Sequence, residues 1–321
     1  MWIYTPSPLG GDEMGASRRR NTVPLWKQLS KKKICYGFIL PTFILLLIFN
    51  YYPAFAALYR SFFYWDPWGS PSWVGLDNFR MLMDDPEFWT SMKNMLFLTI
   101  CQVGITLTTP LIAALLIFHL RSHRSGYAFR VLFVAPMVVP TMVVLLIWRF
   151  IYSPEIGLLN TLLRRLGLDF LTRTWLGDFD LALPAVVFAG FPWVSGFSLL
   201  IYLAGLQNIP EQVIEAARID GASNWQMLFR IELPLIVPQM KLLTILAIIS
   251  AMQETVKVMI LTNGGPGNAT LVPGLYLYKQ AFMYSQLGYG SAIGTVLFCL
   301  MLVVTYLNLK YIQASTEYEA T

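Results

Sequence analysis

Six stretches of this chain are apolar for close to the length that a helix needs to cross a membrane, and that repetition constrains the fold more than any other feature. They cover residues 35–59, 95–118, 129–151, 181–203, 235–261 and 289–312. About 20 apolar residues at about 1.5 Å each span a hydrocarbon core of roughly 30 Å. Lipid offers no hydrogen bonds, so each run must satisfy its own backbone, which a helix does. With 56% hydrophobic and only 13% charged residues, the composition is that of a membrane protein rather than a soluble domain. The expected fold class is all-α: a polytopic membrane protein with about six transmembrane helices.

An even number of spans puts both termini on one side, and Lys and Arg are retained preferentially in the cytoplasm. Arg18, Arg19, Arg20, Lys27, Lys31, Lys32 and Lys33 precede the first span; Arg121, Arg124, Arg130, Arg218, Arg230 and Lys310 fall on the same side. The other face has Arg60, Arg80, Lys93, Arg164, Arg165, Arg173 and Lys279, so both termini are expected in the cytoplasm of a multi-pass protein of the inner (cytoplasmic) membrane. The expected layout is a basic cytoplasmic tail over 1–34, a transmembrane domain over 35–314 and a short tail over 315–321. The first run is a full span with no small-residue cleavage site behind it, so the basic tail is expected to be retained. Its charge suits anionic lipid, and the net charge of +5 is no argument for nucleic acid.

Cys35, Cys101 and Cys299 all fall inside spans, where a thiol packs as a small hydrophobe. His119 and His123 stand beside Arg121 and Arg124 with no spaced Cys or carboxylate ligands, which predicts a solvated turn and no metal site. Proline recurs in or at the spans at 41, 53, 110, 136, 140, 184, 192 and 238, each position freeing a carbonyl that neighbours or a water-lined cavity must satisfy. The first long loop, rich in Trp and Tyr, suits a membrane interface, and 76–92 reads as a short amphipathic helix on the surface.

The most informative stretch is the loop at 205–234. Asn208 is placed to cap a helix begun by Pro210 and Glu211, Gly221 permits the turn that ends it, and Ser223 with Gln226 forms a capping box that starts a second helix, expected to stop before Pro234. Ala216, Ala217 and Gly221 present little bulk, while Glu215 and Asp220 offer carboxylates, so another protein can approach the backbone closely. On these features alone the unit is either a docking knob or an ordinary interfacial amphipathic helix.

Glu215-Ala216-Ala217-Arg218-Ile219-Asp220-Gly221-Ala222, followed by Ile231-Glu232-Leu233-Pro234, resembles the EAA loop of ABC importer permeases. A second block, 261–266 with Thr270, Tyr276, Phe282 and 288–292, resembles the segment before the last helix in carbohydrate-type permeases of the maltose and glycerol-phosphate kind. The resemblance implies a type I importer fold and a non-catalytic permease subunit. Its partners would be a second homologous permease, an ATPase dimer, an extracytoplasmic solute-binding protein and membrane lipid. The substrate would be a sugar or oligosaccharide, neutral or acidic. ATP and magnesium would be bound by the partner ATPase and no cofactor by this chain, which has no phosphate-cradling Gly-x-x-x-x-Gly-Lys loop. Glu215, Ala216, Ala217, Asp220, Gly221, Leu233 and Pro234 would form the coupling surface.

For the substrate, Glu254 and Lys257 stand out because charge inside a span is costly. Spaced by three they either pair with each other or line a cavity, with Gln253, Asn263 and Tyr276 as further pathway candidates. A self-sufficient secondary transporter is the alternative. A membrane-embedded enzyme is a third reading, but no convergent catalytic constellation is legible.

Overall fold

The computed structural model describes residues 33–311, with side chains from Tyr36 to Asn308 and of Lys310. Residues 1–32 of the expected basic tail, the side chain of Cys35 and the whole of 315–321 lie outside the described residues. The chain divides into two compact units, Met1–Phe55 and Ala56–Thr321.

The first unit contributes helix α1 (Lys33–Leu46), which runs through Pro41, and a π turn (Leu47–Tyr51) that leads into α2 (Tyr52–Arg60). In the second unit a two-residue hairpin, β1 (Phe63–Tyr64) against β2 (Ser72–Trp73), precedes α3 (Asp77–Met83) and the long α4 (Pro86–Phe118). The expected helix at 76–92 divides at Asp84 and Asp85, because Asp85 caps α4 by accepting the N–H groups of Glu87 and Phe88 and Pro86 occupies its first turn. The span expected from residue 95 therefore starts nine residues earlier and measures 33 residues, about 50 Å.

Three of the other expected spans are interrupted. The run 129–151 becomes α5 (His123–Val134), a tight turn at Ala135–Val138 and α6 (Thr141–Ile151), bent by 94° where Pro136 and Pro140 withhold their N–H groups. After α7 (Leu158–Arg165), the run 181–203 becomes α8 (Ala182–Phe188) and α9 (Gly196–Gln207), parted by a stretch in which Gly190 and Trp193 have positive φ. The loop at 205–234 supplies α10 (Glu211–Ile219), α11 (Asn224–Met227) and α12 (Leu233–Leu235); α13 (Val237–Met252) follows after a 61° bend, and α14 (Val256–Leu261) after a further break. The chain closes with α15 (Pro273–Tyr278) and the long α16 (Leu287–Tyr311). Among the described residues, three helices are by themselves long and apolar enough to cross a membrane, and five spans result if each bent pair counts as one.

Two buried clusters pack along α4. The first gathers Phe88, Met95 and Leu98 with Tyr152, Val186, Leu275, Tyr276, Tyr289 and Ile293; the second gathers Leu111, Ala114 and Ile117 with Leu199, Tyr202, Leu206, Ile236 and Leu243. The close approach of the hairpin to α16 requires a glycine at 288, since a Cβ there would lie 2.0 Å from the Phe63 carbonyl oxygen.

Candidate functional site: coupling loop and central cavity

The loop at 205–234 folds as two short helices, as its sequence predicts, but its boundaries differ. Asn208 does not cap α10. It ends α9, donating its N–H to Ala204 O at 3.2 Å, and Pro210 stands at the N-cap of α10 without a side-chain bond. The far end of α10 closes on Gly221 at φ +75°, with Ala222 N–H bonded back to Ala217 O at 3.0 Å, the six-to-one bond of a glycine cap. Ser223 and Gln226 form the reciprocal capping box. The second helix runs on through Pro234: a π turn at Leu228–Glu232 widens the coil, so the missing proline N–H is absorbed and the chain bends only at Ile236.

Glu215, Ala216, Asp220, Gly221 and Pro234 are exposed, Leu233 is half-buried and Ala217 is buried. The loop also displays apolar side chains that sequence reasoning passed over: Ile219 is 86% exposed and Trp225 71%, with Trp225 stacked on Phe229 at 5.8 Å between ring centroids. A soluble surface rarely presents apolar bulk in this concentration without a partner. Ile214 and Leu233 pack on the second buried cluster, and Ile219, Trp225 and Phe229 are the apolar side chains left over from that packing.

The loop lies at the C-terminal end of α4. His119 lies exposed in a turn, as expected, and also bonds through Nε2 to Glu232 Oε1 at 3.1 Å, and Glu232 is buried. No local pattern links residues so far apart, so only the fold could bring them together. His123 is exposed in the first turn of α5.

A cavity of about 120 Å³ opens between the two buried clusters, lined by Leu98, Cys101 and Gln102 of α4, Val186 and Val187 of α8, Ser250 and Ala251 of α13, and Glu254 and Lys257. Glu254 accepts the backbone N–H of Lys257 at 3.0 Å and so starts α14; no ion pair within 4.0 Å joins the two side chains. The other pathway candidates lie elsewhere. Gln253 reaches Met301 at 3.6 Å, Asn263 sits in a turn where its carbonyl accepts Lys279 Nζ at 2.8 Å, and the Tyr276 hydroxyl donates to Asp85. Gln102 and Ser250 were not legible as cavity residues, because single polar side chains in apolar runs mark no direction.

At the opposite end of α4, Asp85 gathers the hydroxyls of Tyr276 and Tyr289, the latter at 2.5 Å, besides the two backbone N–H groups it caps. Burial works to raise its pKa, but the bonds from Tyr276, Tyr289, Phe88 and Glu87 outweigh it and hold the carboxyl below its ordinary value.

A helical membrane chain with an exposed two-helix loop at one end and a polar cavity between its helices has the build of a transport permease. Residues 107–317 match the family described as "Binding-protein-dependent transport system inner membrane component", and the chain belongs to it. It is 35% identical to the probable ABC transporter permease protein YurN of Bacillus subtilis over 89% of this chain and 98% of that one. It is likewise 35% identical to the diacetylchitobiose uptake system permease protein NgcF of Streptomyces coelicolor, over 74% of this chain and 72% of that one. A chain of a bacterial ABC transporter that imports the acidic polysaccharide alginate superposes with a TM-score of 0.81 at 25% identity, covering 92% of this chain and all of that one. The fold is accordingly that of a type I ABC importer permease, and the chain is a multi-pass component of the inner membrane. This membership sets it apart from self-sufficient secondary transporters.

Proposed function

We propose that this subunit forms one wall of a passage for a sugar or oligosaccharide and is driven through its 205–234 loop by a separate ATPase dimer. The observation that carries the reading is the exposed surface of Glu215, Ala216, Asp220 and Gly221 flanked by Ile219, Trp225 and Phe229. Small residues allow close approach, the aromatic pair supplies area to bury, and the carboxylates meet basic groups. ATP and magnesium stay on the ATPase; this chain transmits the closure of that partner to its own helices.

The cavity supports the passage. At about 120 Å³ it is smaller than the roughly 300 Å³ at which small-molecule pockets begin, so it serves an oligosaccharide only when the helices part or a second, homologous permease completes it. Substrate would be delivered by an extracytoplasmic solute-binding protein. Lys257 brings an ammonium to the cavity beside the Glu254 carboxylate, while Gln102 and Ser250 can both donate and accept hydrogen bonds; the ammonium is the group on this lining that would favour an acidic glycan over a neutral one. Relatives named for diacetylchitobiose uptake and for alginate import agree with a glycan of either kind.

The test is ATPase activity of the reconstituted complex with neutral and acidic oligosaccharides presented on their receptor. Receptor-dependent stimulation, greater with acidic substrates, is expected. Failure of any ATPase subunit to associate with the chain would overturn the reading.

A further inference from the structure

Glu232 lies in the π turn between α11 and α12, where its side chain is 2% exposed, and it meets a His119 side chain that is 55% exposed. Its second oxygen, Oε2, has no hydrogen-bond partner among the described residues. A carboxylate taken out of water is costly unless well paired, and an apolar side chain of similar volume would serve stability at least as well. Stability is therefore a poor reason for the pair.

The proton count is informative. His119 Nδ1 lies 2.9 Å from Leu115 O, which can only accept, so Nδ1 carries a hydrogen. The contact from Nε2 to Glu232 Oε1 then holds a second proton, as imidazolium with carboxylate or as imidazole with carboxylic acid. The first form is a charge-assisted bond and the second a neutral one, and both are directional.

We propose that His119 and Glu232 are positioning residues that tie the coupling loop to α4, so that a displacement of the loop moves α4 and α13 together, two of the helices that line the cavity. The inference rests on the reading of 205–234 as an ATPase-docking loop. From Glu232 the backbone continues through α12 into α13, whose far end brings Ser250 and Ala251 to the cavity. From His119, α4 leads back to Gln102 at the same cavity, about 25 Å away along the helix. The first connection is covalent. On the second, Ile117 and its neighbours add apolar packing, which is non-directional and does not fix a register, whereas the His119–Glu232 bond does.

The experiment uses the reconstituted complex with its ATPase subunits and receptor, and reads ATPase binding, thermal stability and solute transported per ATP hydrolysed. His119→Leu and Glu232→Leu are each expected to bind ATPase as the unaltered chain does, while transport per ATP falls about fivefold or more, the low end of measured couplings between sites. The double variant His119→Leu/Glu232→Leu carries no unpaired buried charge, so its stability returns, and it is expected to remain uncoupled. Full coupling in the double variant would show the pair to be structural only and overturn the inference. It decides the matter even if His119→Leu, which strands a buried carboxylate, fails to fold. His119→Lys keeps a cation against Glu232 and is expected to retain more coupling than His119→Leu; equal loss in the two would likewise overturn a link through the pair. Failure of the unaltered chain to bind ATPase would instead refute the docking-loop reading, a separate outcome.

Discussion

The two ends of α4 are fastened in opposite ways. At its N-terminus Asp85 accepts two tyrosine hydroxyls and two backbone N–H groups, and nearby Asn94 donates to the carbonyls of Asn268 and Leu271. At its C-terminus, beside apolar packing around Ile117, one side-chain hydrogen bond, His119 to Glu232, joins it to a loop that turns Ile219, Trp225 and Phe229 outward. Four bonds converging on one carboxylate resist displacement, while a single bond beside an exposed knob leaves an element free to move with whatever holds the knob. The first end is built as an anchor and the second as a handle, with the cavity between them.

That contrast is open to attack at both ends. The largest effect is expected at the handle. Gly221→Asp places a Cβ at φ +75°, straining the cap by about 1 kcal/mol, and adds bulk where a partner must approach; with Glu215→Lys as its companion, it should abolish solute uptake in vesicles while membrane insertion persists. Unchanged uptake in both would remove the handle from the comparison. At the anchor, Asp85→Ala removes a helix cap and the acceptor of two tyrosine hydroxyls and should cost about 3 kcal/mol in thermal unfolding, with little change in transport per ATP of the surviving protein. A selective loss of coupling there would erase the distinction between the ends.

Between them, Lys257→Gln should lower the preference for acidic over neutral glycans about tenfold in receptor-stimulated ATPase assays, and an unaltered preference would exclude Lys257 from the passage. The smallest effect concerns acid. The Asp85 carboxyl is held below its ordinary value, so the stability it contributes is complete above the unfolded value near about 3.9 and is lost as pH falls through the folded value. Asp85→Asn should therefore flatten the acid limb of a stability profile below about pH 4 and leave its neutral region sloped as before. An acid limb unchanged by the substitution would mean that the anchor does not depend on charge.

The helical class, the membrane setting and the two-helix form of the 205–234 loop were legible in the sequence, because apolar run length, capping residues and a glycine turn are local features. So was the membership in the permease family, since a contiguous motif survives reading in one dimension. Asn208 misled because the preceding helix runs to Gln207 and claims it as its own end. The run 181–203 misled because hydropathy is blind to a backbone that turns aside at Gly190 and Trp193.

By itself the sequence determined the helical class, the membrane setting, and the glycine turn and capping box that divide the 205–234 loop, all of which follow from residues within a turn or two of one another or from run length alone. Only the tertiary structure decided that Asp85 meets Tyr276 and Tyr289, that Glu254 binds a backbone N–H rather than the Lys257 ammonium, and that His119 meets Glu232. The tyrosine and histidine pairings join positions far apart along the chain, and even over the three residues from Glu254 to Lys257 side-chain polarity alone fixes neither the distance nor the direction that a hydrogen bond requires.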